Sequence, residues 1–332
     1  MELRWHPLLR TWTMVAAHRQ ERPLLPDGPC PFCPGSGKVP EDYEVLAYDN
    51  DFPSLVLNPP EPDLPGDDLA PAKPSLGKCA VTLYSPDHDA ALYELPLEHL
   101  VKLVEHWRER YMCLGNLPNI DYVYIFENRG EAVGVTIHHP HGQIYAYPFI
   151  PLRLQVELAS CEDYWRERGN CLLCDLLCRE WGEGSRIVHR ERGFTAFVPS
   201  FAQYGYDVFI VPDRHLGSLA EMNEEGARGL ALALKRIAAG YDTLFGLRFP
   251  YMMCMHQTPT DGKDYPHYHF HIEFYPPLRG RDTLKFSASS ETGAWAHINT
   301  TVPEEKAAEL RRAVERASAR EAGGQGTREE DA

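Results

Sequence analysis

The same series of chemical landmarks runs twice along this chain, and that repetition limits its architecture more than any other feature. The first series is Cys30-x-x-Cys33, Ser85-Pro86-Asp87-His88, a helical stretch, a β-rich run and His139-Pro140-His141. The second is Cys171-x-x-Cys174, Val211-Pro212-Asp213-Arg214-His215, another helical stretch, another β-rich run and His267-Tyr268-His269-Phe270-His271. His88 lies 51 residues before His139, and His215 lies 52 before His267. A duplicated structural unit accounts for both order and spacing. Two similar halves are therefore expected, residues 1–155 and 156–318, followed by a disordered tail over 319–332.

Local patterns give each half its contents. From Leu97, apolar residues recur at Leu100, Val101, Val104, Trp107, Tyr111 and Leu114; after Asn223, a suitable N-cap, they recur at Leu230, Leu234, Ile237, Ala238, Tyr241, Leu244 and Phe245. That is helical spacing. Strands are predicted over residues 80–84, 122–126, 143–147, 195–198, 208–211 and 267–274. The expected class is α+β, each half an antiparallel sheet packed by one principal helix.

Composition narrows the function. With 48 acidic against 33 basic residues and a net charge of −15, the chain is poorly suited to gripping nucleic acid, which calls for clustered cations. No apolar run approaches the roughly 18 residues of a membrane span, and the opening Met-Glu-Leu-Arg-Trp-His has no secretory character. A soluble, cytoplasmic protein is expected. In such a reducing setting, spaced cysteine pairs read first as metal ligands.

Two thiolates on a tight turn need two more ligands to close a tetrahedral zinc shell. His88 and His139 are the natural completions for Cys30 and Cys33. For Cys171 and Cys174 they are His215 and one member of the histidine cluster, and symmetry picks His267. On a strand, His139, His141 and Gln143 would share a face, which allows His139 to bind metal, His141 to do chemistry and Gln143 to meet a ligand oxygen. An imidazole attacks only when neutral, so its other nitrogen must keep its proton against an acceptor.

These segments, with Asn50-Asp51-Phe52, Phe126-Glu127-Asn128-Arg129-Gly130 and Phe274-Tyr275-Pro276-Pro277, resemble the galactose-1-phosphate uridylyltransferase family of the histidine-triad superfamily. The likeness runs in order through nearly the whole chain. It implies a double displacement: His141 takes a uridylyl group from UDP-glucose, releases glucose 1-phosphate, and passes the group to galactose 1-phosphate to give UDP-galactose. Gln143 matches the glutamine that donates to a phosphoryl oxygen. Arg19 and Arg22 match paired arginines near the phosphates, Asn50 and Asp51 the uridine and ribose contacts, and Asn128 with Gly134, Val135 and Thr136 the diphosphate loop. Lys285, Phe286, Glu291 and Asn299 fall where the hexose is held, from the partner subunit of a homodimer.

The second metal site departs from the pattern. Family members place iron between one Glu and three His; the matching positions here are Glu157, His256, His271 and Glu273. The Cys171/Cys174 pair instead resembles the two-zinc arrangement of a sister group that includes ADP-glucose phosphorylase. Zinc is expected at the first site, and zinc or iron at a second. Two rival readings follow: an ADP-sugar phosphorylase or adenylyltransferase on the same fold, and a non-catalytic zinc-binding module.

Overall fold

A computed structural model describes residues 1–21, 28–64 and 66–326. In chain order the elements are β1 (Glu2–His6), β2 (Thr11–Val15), β3 (Leu46–Asp49), β4 (Ala72–Pro74), β5 (Lys78–Leu83), α1 (Leu97–Gly115), β6 (Tyr122–Arg129), β7 (His141–Tyr147), α2 (Leu152–Arg168) and α3 (Leu172–Glu183). There follow β8 (Ile187–Glu191), β9 (Phe194–Phe197), β10 (Val208–Pro212), α4 (Glu224–Phe245), β11 (Tyr251–His256), β12 (His271–Tyr275), β13 (Leu278–Gly280), β14 (Thr283–Leu284), α5 (Ser289–Ala294) and α6 (Pro303–Gly326).

Nine strands form one antiparallel sheet in the order β3-β5-β7-β6-β11-β12-β10-β9-β8. The halves do not hold separate sheets; β6 pairs with β11 and joins them. On either side of this seam the order repeats, β6-β7-β5-β3 against β11-β12-β10-β9. The registers repeat as well: Tyr48 faces Val81 and Val81 faces Gln143, while Phe197 faces Phe209 and Phe209 faces Glu273. Gln143 and Glu273 are thus counterparts, as are Val81 and Phe209.

One sheet face carries the main core. Leu100, Leu103, Val104 and Trp107 of α1 and Leu230, Leu234, Ile237 and Tyr241 of α4 bury against Val123, Ile125, Ile144, Ile210 and Ile272. Asn223 caps α4 by accepting from the Gly226 amide at 2.9 Å, and Gly246, in the left-handed region at φ 67°, ends it. The opposite face is covered by smaller clusters around the two cysteine turns, β1, α2 and α3.

Three expectations need correction. The strand expected to span 267–274 begins only at His271, and β7 begins at His141, so His139 lies in the bend before the strand rather than on it. Residues 319–326, expected in a disordered tail, continue α6; Glu321 holds that end with ion pairs to Lys235 and Arg236 on α4. Residues 327–332 lie outside the described residues.

Candidate active site and metal clusters

His141 opens β7 half-buried. Its Nδ1 lies 2.7 Å from the carbonyl oxygen of His139. A carbonyl can only accept, so Nδ1 carries a proton, and in the neutral ring Nε2 carries the lone pair. That is the tautomer a nucleophile needs. The Phe32 ring packs edge-on against His141, with centroids 5.6 Å apart.

Two cavities meet at this imidazole. One, of about 210 Å³, is lined by Phe32, Tyr48, Asn50, Asp51, Phe52, Thr136, His141 and Gln143. The other, of about 330 Å³, runs past Asn128, Val135 and His138 to the opposite side of the segment. Both residues of the Asn50-Asp51 pair shape their turn as well as the cavity wall. Asn50 Oδ1 accepts from the Phe52 amide at 2.9 Å, and Asp51 accepts from Tyr48 at 2.7 Å and Lys38 at 3.1 Å. Arg19 donates to the Phe52 carbonyl at 2.6 Å, which brings it to the same rim. Tyr145 donates to Gln143 Oε1 at 3.3 Å, leaving the amide hydrogens as the face offered to a ligand oxygen. Gly134, at φ 80°, ends the short turn after Gly130 and aims the Val135-Thr136 segment back to the site. Arg22 lies outside the described residues. Lys285, Phe286, Glu291 and Asn299 line neither cavity; Lys285 pairs with Glu291 at 3.2 Å, and Asn299 donates to the Ala202 carbonyl at 3.0 Å.

Cys30, Cys33, His88 and His139 converge just behind His141. Cys33 Sγ stands 3.4 Å from His88 Nδ1 and 3.7 Å from His139 Nδ1. Zinc with sulfur and imidazole ligands needs a tetrahedral edge of about 3.6 Å, so the donor set fits. His139 gives Nε2–H to the Ser85 carbonyl at 2.7 Å, which turns Nδ1 to the cluster, and burial pushes its imidazole down to about 4, keeping it neutral and ligand-ready.

In the second half the residue that joins the cysteine cluster is His269, and His267 stays outside it. Cys174 Sγ is 3.4 Å from both His215 Nδ1 and His269 Nδ1, and Cys171 completes the group. His267 sits in the preceding turn against Tyr265. Matching interval lengths misled because the loops differ in length; the fixed reference is the strand. His139 and His269 each stand two residues before the strand that opens with His141 or His271, and His271 Nδ1 meets the His269 carbonyl at 2.9 Å as His141 meets that of His139.

A third group uses other residues entirely. His256 Nδ1 lies 2.8 Å from Glu157, and His271 Nε2 lies 3.3 Å from Glu273. Burial works to raise the Glu157 carboxyl, but the charge of His256 and its hydrogen bond bring it well below the usual range. The cysteine and carboxylate sets were alternatives on sequence grounds; the cysteine set assembles with His269 and the carboxylate set through Glu157, His256 and His271, without sharing a donor.

Sequence reasoning missed Tyr84 and Glu127, both lining the larger cavity. Burial pushes the Glu127 carboxyl up to about 7, against the lowering effects of Arg129, Tyr251 and Tyr84. A buried glutamate directly after the apolar run of residues 122–126 was the available signal.

Comparison with known proteins covers the whole of this framework. The family model for the galactose-1-phosphate uridyl transferase N-terminal domain matches residues 1–151, and that for the C-terminal domain matches residues 157–317. Galactose-1-phosphate uridylyltransferase of Thermotoga maritima is 42% identical over 94% of this chain and 98% of its own. A solved uridylyltransferase structure superposes with a TM-score of 0.88 at 34% identity, covering 95% of this chain and 99% of that one. An ADP-glucose phosphorylase from Arabidopsis thaliana shares the fold, with a TM-score of 0.73 at 21% identity over 94% of this chain and 99% of that one.

Proposed function

The chain belongs to the galactose-1-phosphate uridylyltransferase family, and from that premise we propose that it exchanges UDP-glucose and galactose 1-phosphate for glucose 1-phosphate and UDP-galactose through a uridylyl group carried on His141. The observation that carries the role of His141 is its Nδ1–H, fixed on the His139 carbonyl at the meeting of two cavities.

In the first step the Nε2 lone pair forms a bond to the α-phosphorus, and the bond from that phosphorus to the bridging oxygen breaks, its electrons leaving with glucose 1-phosphate. The Nδ1 proton stays on the ring, held by the His139 carbonyl while the imidazole carries positive charge. In the second step a phosphate oxygen of galactose 1-phosphate attacks the same phosphorus and the N–P bond returns its electrons to Nε2. Exchanging one phosphoanhydride for another through one nucleophile serves both directions. Gln143 donates to a non-bridging oxygen, where charge accumulates. Arg19, Asn50, Asp51, Asn128, Gly134, Val135 and Thr136 seat the nucleotide and diphosphate.

Cys30, Cys33, His88 and His139 would hold zinc, which would anchor the residue whose carbonyl orients His141. Cys171, Cys174, His215 and His269 have the donors for a second zinc, and Glu157, His256, His271 and Glu273 suit zinc or iron. A homodimer is part of the reading: Phe286 is 75% exposed and the hexose-contact positions lie away from their own His141, which supports delivery to the other copy. None of the nine cysteines is in a disulfide, and among the described residues no helix is long and apolar enough to cross a membrane.

Brief exposure to UDP-glucose followed by mass analysis tests the reading. A uridylyl adduct on His141, absent from His141→Ala, is expected. An adduct formed only from ADP-glucose would move the chain to the adenylyl reading, and no adduct from either sugar would leave the zinc-binding module.

A further inference from the structure

The duplication supplies an internal comparison for the residues behind the nucleophile. Thr82 faces Gly142 and Ile210 faces Ile272, so two places further along Tyr84 corresponds to Pro212. Phe126 faces Gln143 and Cys254 faces Glu273, so one place further Glu127 corresponds to Met255. In the second half Met255 and Ile272 are ordinary members of the main core. The first half has Tyr84, Glu127 and Gly142 in the same three places. It has exchanged an aliphatic patch for a phenol, a carboxyl and an empty side-chain position.

Geometry links the three. A Cβ on Gly142 would lie 2.2 Å from Tyr84 Oη, so the hydroxyl occupies the space an alanine methyl would need. The Tyr84 amide donates to the Pro140 carbonyl at 3.0 Å. Tyr84 therefore holds the chain on both sides of His141, by its backbone at Pro140 and by its hydroxyl at Gly142. His99 fixes Tyr84 in turn, donating to its carbonyl at 2.6 Å, and the ring packs edge-on to Trp107. Tyr84 is 1% exposed and Glu127 6%; Tyr251 donates to Glu127 Oε1 at 3.1 Å. Tyr84 Oη and Glu127 Oε2 make no well-formed hydrogen bond, although the phenol and the carboxyl lie close enough for each to shift the other's ionisation. Polar atoms buried in this state weaken a core, and their persistence calls for a functional account.

We propose that Tyr84 and Glu127 are positioning residues for His141: the phenol, backed by the carboxyl, fixes the backbone from Pro140 to Gly142 so that the imidazole meets the α-phosphorus in line. The inference rests on His141 being the nucleophile. A small displacement of a reacting group costs rate far more than binding, so the signature is a split between the two.

The test is single-turnover formation of the uridylyl adduct from UDP-glucose, alongside UDP-glucose affinity and near-ultraviolet circular dichroism. Tyr84→Phe and Glu127→Gln are each expected to slow adduct formation about tenfold while affinity stays within about twofold. Gly142→Ala should form almost no adduct, and Tyr84→Phe combined with Gly142→Ala should recover part of the rate by removing the hydroxyl that the methyl meets. If the folded single variants match the wild-type rate, the pair is packing only and the proposal fails; should Tyr84→Phe not fold, Glu127→Gln decides it. Rate loss accompanied by equal loss of affinity also overturns it. A wild-type protein that forms no adduct on His141 defeats the parent reading instead.

Discussion

Gln143 and Glu273 stand at corresponding places in the two halves, facing Val81 and Phe209 respectively. One offers a neutral amide beside His141; the other gives a carboxylate to His271 and Arg153. The difference of a single group separates a site that can receive a phosphoryl oxygen from one that repels it. Gln143→Glu should therefore lower the uridylylation rate by about a hundredfold or more, the usual cost of losing one donor at a developing charge, with Gln143→Ala less severe. Single-turnover measurement ranks the two, and equal rates would remove Gln143 from the chemistry.

Arg129 and Asp242 form a two-point ion pair at 2.6 and 2.7 Å, joining the end of β6, next to Asn128, to α4. Removing one member strands a charge in a mostly buried place. Arg129→Ala is expected to cost about 3–5 kcal/mol, and Arg129→Lys part of that because an ammonium cannot match the fork. Urea unfolding measures both. Little change in midpoint for Arg129→Ala would show the pair to be idle.

The metal clusters have separate donors, so their losses should be separable. Cys33→Ser and Cys174→Ser should each remove one equivalent by elemental analysis and leave the other cluster filled. Adduct formation should fall in Cys33→Ser, because His139 then loses the anchor for its carbonyl. Cys174→Ser should mainly lower the melting temperature. A shared loss of metal in both variants would contradict independent sites.

Glu127 makes stability depend on pH in a defined direction. Its carboxyl titrates ordinarily at 4.5 and in the folded chain at about 7, because burial disfavours the charge. The folded state binds the extra proton, so this contribution is complete below 4.5 and is lost as pH rises through about 7. The melting temperature of Glu127→Gln should gain on the wild type across that interval. Parallel curves would mean that Glu127 ionises without penalty.

The repeated landmarks and the helical spacing foretold the duplicated α+β halves, both principal helices and the Cys30–Cys33–His88–His139 cluster. These rest on short-range rules: thiolates on one turn, apolar residues on one helix face, an Asn side chain at an N-cap. What depended on long-range register was harder. Choosing His269 over His267 requires knowing where β12 begins, and chain spacing cannot show that because loops absorb extra residues. The join between β6 and β11 is hidden for a similar reason, since Val123 and Met253 read as core residues whichever strand lies beside them. Tyr84 escaped notice because a tyrosine at a strand end is ordinary until its hydroxyl is seen against Gly142.

The β6–β11 seam has an evolutionary consequence. Were two identical subunits to meet along that edge, every substitution would appear on both sides of the axis, and no residue could be tuned for one side alone. Fusing the pair into one polypeptide lifts that constraint. Each side can then accumulate its own changes, so that Gln143 stands in one half where its sibling carries Glu273.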